Sequence, residues 1–253
     1  MKPYILKDIT LKHLKKNSYK VAILPWGATE AHNYHLPYGT DVYESEYFAL
    51  KSAEYAWNRN IQTIVLPVIP FGVNTGQFDI PFTINFNPST QFSILKDIVQ
   101  SLSFHQIDKL VILNSHGGND FKQMIREFQG IYPNFFICQV NWFKVLPMNQ
   151  YFEDTGDHAS EMETSIMQII EPELVLPLSD AGSGAHKNYR FSAIREGWAW
   201  APRDWTKVTS DTGIGNPAQS TPEKGKAYID KTITQIGEFL IELAECKSGD
   251  WYI

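Results

Sequence analysis

The sequence predicts an α/β fold of three layers, in which a mainly parallel sheet carries helices on both faces. Two observations predict this class. Short apolar runs at residues 21–25, 63–68, 110–113 and 135–140 have the composition of strands that are buried on both faces. Longer stretches with apolar residues at three- and four-residue steps separate these runs, as amphipathic helices require. Strands that alternate with helices in this way form parallel sheets covered on both sides.

Helices are predicted after the first and second strands. In residues 41–57, side chains recur at helical spacing at Tyr43, Tyr47, Leu50 and Glu54. The second helix begins at Asn87 and Pro88, because asparagine is a favoured N-cap and proline fits the first helical position. Its apolar stripe consists of Phe92, Leu95, Ile98, Val99 and Leu102. Residues 73–87, which contain glycine and proline, predict an irregular segment that borders the site.

The second half of the chain contains three further helical patterns. The first follows the third strand and has apolar residues at Phe121, Met124, Ile125 and Phe128. A second pattern opens at residues 156–165 and predicts a helix that includes His158. Thr221 and Pro222 begin the last helix. Residues 180–215 lack clean periodicity and predict a long loop, of a kind that often covers a site or forms an oligomer contact.

Composition predicts one domain over residues 1–253 and excludes several function classes. The apolar fraction of 43% is ample for a buried core, and no Gly/Ser/Pro linker or repeat divides the chain. The formal charge of −6 comes without a long block of one sign, which disfavours binding to nucleic acid or anionic membrane. No apolar run is long enough to cross a bilayer. Two cysteines, Cys138 and Cys246, give no disulfide framework, so a cytoplasmic protein is expected.

The chemistry concentrates in residues 24–41, directly after the first strand. Glu30, His32, His35 and Asp41 lie within a dozen residues there, among glycines and prolines that favour a loop. Carboxylate oxygens and imidazole nitrogens on one loop suit a divalent metal such as zinc or manganese. The alternative interpretation is that these are polar residues that close a turn.

A second group of polar residues follows the third strand, in the segment Asn114-Ser-His-Gly-Gly-Asn119. Open parallel sheets bind ligands beyond the carboxyl ends of their strands. His116 and the Glu30 loop both lie just past such ends, so we expect them to meet at one edge of the sheet.

Four motifs in this order resemble those of the creatininase family, the creatinine amidohydrolases and their relatives. They are Glu30-Ala-His32 with Gly39-Thr-Asp41, the His116 segment, residues 156–165 and the C-terminal segment 213–225. The resemblance implies an α/β fold of the creatininase type. It also implies an enzyme that is commonly a homo-oligomer, often a hexamer, and the segment 198–205 with its three tryptophans is a predicted subunit contact.

The resemblance further implies a site for two divalent metal ions, with zinc favoured and manganese or iron also compatible. Carried over residue by residue, it assigns Glu30, His32, Asp41 and His116 as ligands. Asp41 bridges the ions, Glu30 and His116 bind one, and His32 binds the other. Two such ions share a water, lower its pKa and polarise a carbonyl, which leads to hydrolysis of an amide-type C–N bond.

One position departs from the creatininase pattern, in which a glutamate ligand stands two residues after the matching histidine. This chain has Gly118 there. Relatives with the His-Gly-Gly-Asn form carry an acidic residue where this chain has Glu161, and residues three apart on a helix are neighbours, so His158 and Glu161 are predicted to share a face. Glu161 is therefore the predicted fifth metal ligand. Glu163 is predicted to be a catalytic-site carboxylate that orients a ligand or His158.

His158 is the predicted acid/base group that protonates the departing nitrogen, with a helix-capping histidine as the alternative. His35 either supports a ligand or is an ordinary loop residue. Gly117 and Gly118 either let backbone N–H groups approach an oxyanion or only form a tight turn.

The function predicted from these residues is a metal-dependent amidohydrolase that cleaves a cyclic amide or formamide-type bond in a small molecule. A peptidase-like processing enzyme of the same family is one alternative. A non-catalytic metal-binding protein is another, although structural metal sites are normally closed by Cys and His. A dinucleotide-dependent oxidoreductase is disfavoured, because Gly-x-Gly-x-x-Gly is absent after the first strand.

Overall fold

A parallel sheet of four strands forms the centre of the computed structural model, which describes residues 2–253. The strands are β1 (Val21–Trp26), β2 (Thr63–Val65), β3 (Lys109–Asn114) and β4 (Phe136–Asn141). Their order is β2-β1-β3-β4, and every neighbouring pair is parallel. The predicted parallel sheet is confirmed. Strand β2 is shorter than predicted, since Pro67 has no N–H to donate to a ladder.

Helices of very different lengths connect the strands. In the part of the chain that the structure describes, the α-helices are α1 (Leu11–Leu14), α2 (Thr40–Trp57), α3 (Pro88–Phe104), α4 (Lys122–Ile131), α5 (Glu161–Ile170), α6 (Ser192–Arg195), α7 (Trp205–Val208) and α8 (Pro222–Glu245). The predicted loop over residues 180–215 thus contains only two single-turn helices.

Strands β1, β2 and β3 are buried on both faces, as their apolar runs predicted, whereas the edge strand β4 is only partly buried, unlike the prediction for residues 135–140. Successive side chains of a strand point to opposite sides, so Val21 and Ile23 lie in one core while Ala22 and Leu24 lie in the other. Helices α2, α5 and α8 cover the first side. Residues of α3 and α4 cover the second. The three-layer arrangement is therefore confirmed.

Helix α5 begins at Glu161, five residues after Gly156, where the predicted helical pattern opens. Ala159 has a φ of 48°, in the left-handed region, and Ser160 is an extended N-cap. These two residues separate His158 from the first helical residue, Glu161. The prediction that His158 and Glu161 share one helical face is therefore wrong, because His158 lies in the preceding loop and pairs with Ile214 in an isolated β-bridge.

Among residues 2–253, no helix combines the length and the apolar character needed to cross a bilayer. The cytoplasmic location stays a prediction.

Candidate metal centre

Six buried ionisable side chains meet beyond the carboxyl ends of β1 and β3. They are Glu30, His32, Asp41, His116, His158 and Glu163. Their donor atoms form three overlapping groups, and within each group all donors lie within 4.8 Å of one another. The first group is Glu30, Asp41 and His116, the second is His32, Asp41 and Glu163, and the third is Glu30, His32 and His158.

The fold brings these residues from four separate segments. Glu30 and His32 stand on the loop after β1, and His116 stands on the loop after β3. Asp41 and Glu163 occupy the first turns of α2 and α5. The N-terminal end of a helix carries partial positive charge, which favours a carboxylate there. The structure confirms the expectation that the Glu30 loop and His116 meet at one edge of the sheet.

The His116 ring lies between two carboxylates and a backbone carbonyl. Its Nδ1 is 2.8 Å from Glu30 Oε1 and 3.1 Å from Asp41 Oδ2. Its Nε2 is 3.0 Å from the carbonyl oxygen of Val73, which can only accept a hydrogen bond. Nε2 therefore carries a proton, and in the neutral ring the lone pair is on Nδ1, facing the carboxylates.

His32 has the same arrangement with its nitrogens exchanged. Its Nδ1 lies 3.2 Å from the carbonyl oxygen of Glu30 and donates to it. Its Nε2 is buried without a hydrogen-bond partner and lies 3.5 Å from Asp41 Oδ1. The lone pair of neutral His32 is thus directed at Asp41, the carboxylate that belongs to both the first and the second donor group.

His158 repeats the pattern a third time. Its Nε2 donates to the carbonyl oxygen of Ala31 over 2.9 Å, and its Nδ1 is 3.9 Å from Glu30 Oε1. The ring centroid lies 4.1 Å from that of His32 and 4.7 Å from the ring of Trp205, which meets it edge-on. His158 is therefore held on two sides by rings and by one hydrogen bond.

This donor set fits a divalent metal. Metal-binding histidines usually donate their second ring N–H to a carbonyl or carboxylate, which fixes the tautomer, and all three rings here do so. The Nε2 of His32 and the Oδ2 of Asp41 are buried with no hydrogen-bond partner. Burying a polar atom without a partner costs free energy, so these two atoms fit positions where a cation would be the missing partner.

Opposite charges in the cluster shift the pKa values of its members in opposite directions. Burial lowers the pKa of His32, but Asp41 together with Glu163 and Glu30 outweighs burial and raises it to about 9. His116 follows the same rule: burial opposes its charge, yet Glu30 and Asp41 hold its pKa well above the ordinary value. For Asp41 burial favours protonation, but His32 and His116 bring its pKa below the ordinary value.

Two carboxylates remain without such compensation. Burial raises the pKa of Glu163 to about 7, although His32 opposes this. Burial, together with the charges of Glu163 and Asp41, raises the pKa of Glu44 well above its ordinary value, and both carboxylate oxygens of Glu44 lack a partner. Sequence reasoning missed Glu44. Its position one helical turn after Asp41 was the available signal.

The structure does not bring Glu161 into the cluster. Its Oε2 accepts the backbone N–H groups of Glu153, over 2.9 Å, and of Asp154, over 2.8 Å. Its Oε1 lies 2.5 Å from Lys224 Nζ on α8. Glu161 thus holds the start of the loop that carries His158. Glu163, which accepts the backbone N–H of Ala159, is the α5 carboxylate that lies beside His32 and Asp41.

Other polar residues that the sequence did not single out support the cluster. Gln77, in the irregular segment 73–87, donates to Glu30 Oε2. Asn119 accepts the N–H of Val73 over 3.1 Å, which helps to hold the residue whose carbonyl binds His116. The irregular segment was thus placed correctly at the border of the site, but no spacing rule identified Gln77.

His35 and Trp205 lie beside the cluster. His35 Nε2 is 2.8 Å from the Thr164 hydroxyl, next to Glu163, and burial together with His32 lowers the pKa of His35 to about 4. It belongs to none of the three donor groups. Trp198 and Trp200 are exposed in the single chain, whereas Trp205 packs on His158.

Comparison with known proteins identifies a protein family that matches most of the chain and a solved structure with high similarity. The creatininase family model, described as creatinine amidohydrolase, matches residues 7–240. A solved structure of a "putative creatinine amidohydrolase" from Bacteroides fragilis is 42% identical, with 100% of both chains covered and a TM-score of 0.93. No curated protein matches significantly.

More distant solved structures have the same fold. One is named "Creatininase Mn", with 20% identity and a TM-score of 0.80. Another is a mutant creatininase of "Zn-Zn type", with 19% identity and a TM-score of 0.80. Each alignment covers 96% of this chain and 99% of the other. At this identity the likeness shows the fold alone.

Proposed function

The chain belongs to the creatininase family, and from this premise we propose that it is a metal-dependent amidohydrolase that cleaves a C–N bond in a small molecule. The bond is of the cyclic amide or formamide type. One observation carries the proposal: each of the three buried histidines donates one ring N–H to a backbone carbonyl and turns the other nitrogen toward a carboxylate. Histidines that bind metals are held in this way.

We assign one divalent ion to Glu30, Asp41 and His116, and a second to His32, Asp41 and Glu163. Asp41 is common to both sets and is the proposed bridge. Glu163 takes the place that the sequence gave to Glu161. Two ions held in this way supply Lewis acidity and lower the pKa of a shared water. Zinc is favoured, with manganese or iron as alternatives, in keeping with relatives whose names carry Mn and Zn.

His158 is the proposed acid/base residue. Because Nε2 donates to Ala31, the lone pair of the neutral ring is on Nδ1, which faces Glu30 at 3.9 Å. Burial and the neighbouring His32 lower the pKa of His158 to about 4, so the ring is neutral at pH 7 and ready to accept a proton. The same nitrogen then returns that proton to the departing nitrogen of the amide. Trp205 keeps the ring in this orientation.

The experiment counts ions per chain by elemental analysis after reconstitution with zinc, alongside a panel of small cyclic amides and formamides. Wild type is expected to hold two ions and to hydrolyse at least one member of the panel. Asp41→Asn should lose both metal and activity, because a bridging carboxylate serves both ions. Asp97→Asn, on the exposed side of α3, is the matched control and should behave as wild type. Wild type with at most one ion at micromolar affinity would contradict the two-metal proposal.

We also propose that the protein is a homo-oligomer. Trp198 and Trp200 are 74% and 84% exposed, and Phe191 is 67% exposed. Large exposed aromatic side chains are enriched at subunit contacts. Sedimentation that finds a stable monomer at micromolar concentration would contradict this.

A further inference from the structure

A cavity of about 630 Å³ lies beside the candidate metal centre. Its walls come from the loop after β1, from residues 79–81 and from the segment that begins with α7. Two wall residues touch His158 directly. The carbonyl of Ala31 accepts its Nε2 proton, and Trp205 packs against its ring. Ala31 and Trp205 therefore form a wall that the cavity shares with His158.

Aromatic rings line the cavity, and hydrogen bonds hold them in place. Tyr34 donates its hydroxyl proton to the carbonyl of Ser210 over 3.1 Å, and Tyr38 donates to that of Pro81 over 2.7 Å. The two rings therefore tie the loop after β1 to the other two walls. With Trp205 they place three aromatic rings in the lining of the cavity before any ligand binds.

The charged lining residues are acidic. Asp79 and Asp211 face the cavity, and none of the lining residues described by the structure is lysine or arginine. Asp211 is fully engaged, because it accepts bonds from the Thr209 hydroxyl and from the backbone N–H groups of Gly184 and Gly213. Asp79 is exposed and accepts one bond, from Thr206 over 2.6 Å. Asp79 thus keeps acceptor capacity for a ligand.

The basic side chains nearest this wall are already paired. Arg203 binds both carboxylate oxygens of Asp157, at 3.0 and 2.6 Å. Lys207 lies 2.5 Å from Asp204. Arg203 also lies over the Trp205 ring, 5.8 Å from its centroid, but neither Arg203 nor Lys207 lines the cavity.

We propose that this cavity binds the non-reacting part of the substrate and selects for an organic cation. Aromatic faces attract a cation through their negative quadrupole, and Asp79 supplies the opposite charge. An anionic group in the same place would face Asp79 with no partner, which costs free energy. Cavities of this volume hold drug-sized ligands, so the cavity has room for a substituent on the reacting group. This inference rests on the proposed function for the position of the reacting bond.

The test uses three isosteric probes that differ in charge: benzamidine, benzamide and benzoate. Ligand-observed NMR titration of the zinc-loaded protein measures their dissociation constants. We expect benzamidine to bind at least tenfold more tightly than benzoate, with benzamide between them. Equal or tighter binding of benzoate would overturn the proposal, and so would failure of all three probes to bind.

Variants separate the charge from the aromatic faces. Asp79→Asn should weaken benzamidine roughly tenfold and leave benzamide unchanged, whereas Trp205→Leu should weaken both. Asp97→Asn and Phe104→Leu, exposed on α3, are matched controls and should change neither. An unchanged benzamidine-to-benzamide ratio in Asp79→Asn would overturn the assignment of Asp79.

Elemental analysis of the same samples keeps the two proposals apart. Normal metal content with no charge preference refutes the inference alone. A clear preference for benzamidine in protein that binds no zinc refutes the proposed function alone.

Discussion

Gly118→Ala is expected to weaken metal binding although residue 118 contributes no ligand. A Cβ at this position would lie 2.3 Å from the carbonyl oxygen of Val73 and 2.4 Å from Nε2 of His116. These two atoms form the hydrogen bond of 3.0 Å that fixes the His116 ring. The added methyl group would therefore press directly on the bond that aims Nδ1 at Glu30 and Asp41.

The size of the effect follows from these distances. Non-bonded atoms settle at about 3.5–4.0 Å, so both partners must retreat by about 1 Å, and the hydrogen bond cannot keep its length. Losing such a supporting bond typically costs about 10–100-fold in metal affinity. The overlap itself is expected to cost about 1–3 kcal/mol of folding free energy, the usual range for overpacking.

A competition titration with a chelating zinc indicator measures the affinity, and Gly117→Ala is the matched control. A Cβ on Gly117 meets nothing within 4 Å, and neither glycine has a positive φ. Both variants thus lose the same chain flexibility, and only Gly118→Ala adds a collision. Equal zinc affinities in the two variants would refute the role given to the Val73–His116 bond.

The remaining predictions concern α5, His158 and pH. Glu163→Gln should release about one ion per chain, while Glu161→Gln should keep both ions and lower the melting temperature; the reverse pattern in elemental analysis would restore Glu161 as the ligand. His158→Ala should lower turnover roughly 10²–10⁴-fold with metal content intact, and loss of metal would instead make His158 a ligand. Metal-free protein should lose on the order of 3 kcal/mol as the pH rises from 6.5 to about 9, because folded His32 keeps a proton that the unfolded chain has released. Denaturant unfolding at pH 6, 7.5 and 9 checks this; His32→Asn should reduce the loss of stability, with His116 still contributing a part, and a flat wild-type profile would contradict the prediction.

The fold was predictable because the signals for it are repeated along the chain. Several apolar strands and several amphipathic helices all point to the same three layers, so an error of one or two residues at an element's end changes little. The meeting of Glu30, His32 and His116 followed from that architecture, since both loops leave the sheet at its carboxyl edge. Gln77 could not be found in this way, because an irregular segment has no periodicity to fix where a side chain points.

The choice between Glu161 and Glu163 depended on the conformation of one residue. A helix continuous through His158 would have put Glu161 beside it. Ala159 instead adopts a left-handed φ of 48°, which few alanines do and which no propensity scale predicts. The helix therefore starts at Glu161. The Glu161 carboxylate accepts two backbone N–H groups from the preceding loop and pairs with Lys224.

Gly118 and Glu163 are two parts of one arrangement. The creatininase pattern implies a glutamate ligand at residue 118, but a side chain there collides with His116 and Val73 in this chain. In the proposed site the carboxylate that joins Asp41 on the second ion comes from another segment, and Glu163 is within reach of His32 and Asp41. Four buried carboxylates therefore lie in the cluster or beside it, those of Glu30, Asp41, Glu44 and Glu163. Burial raises the pKa values of Glu44 and Glu163, and the four positive charges of the two proposed divalent ions would lower them again.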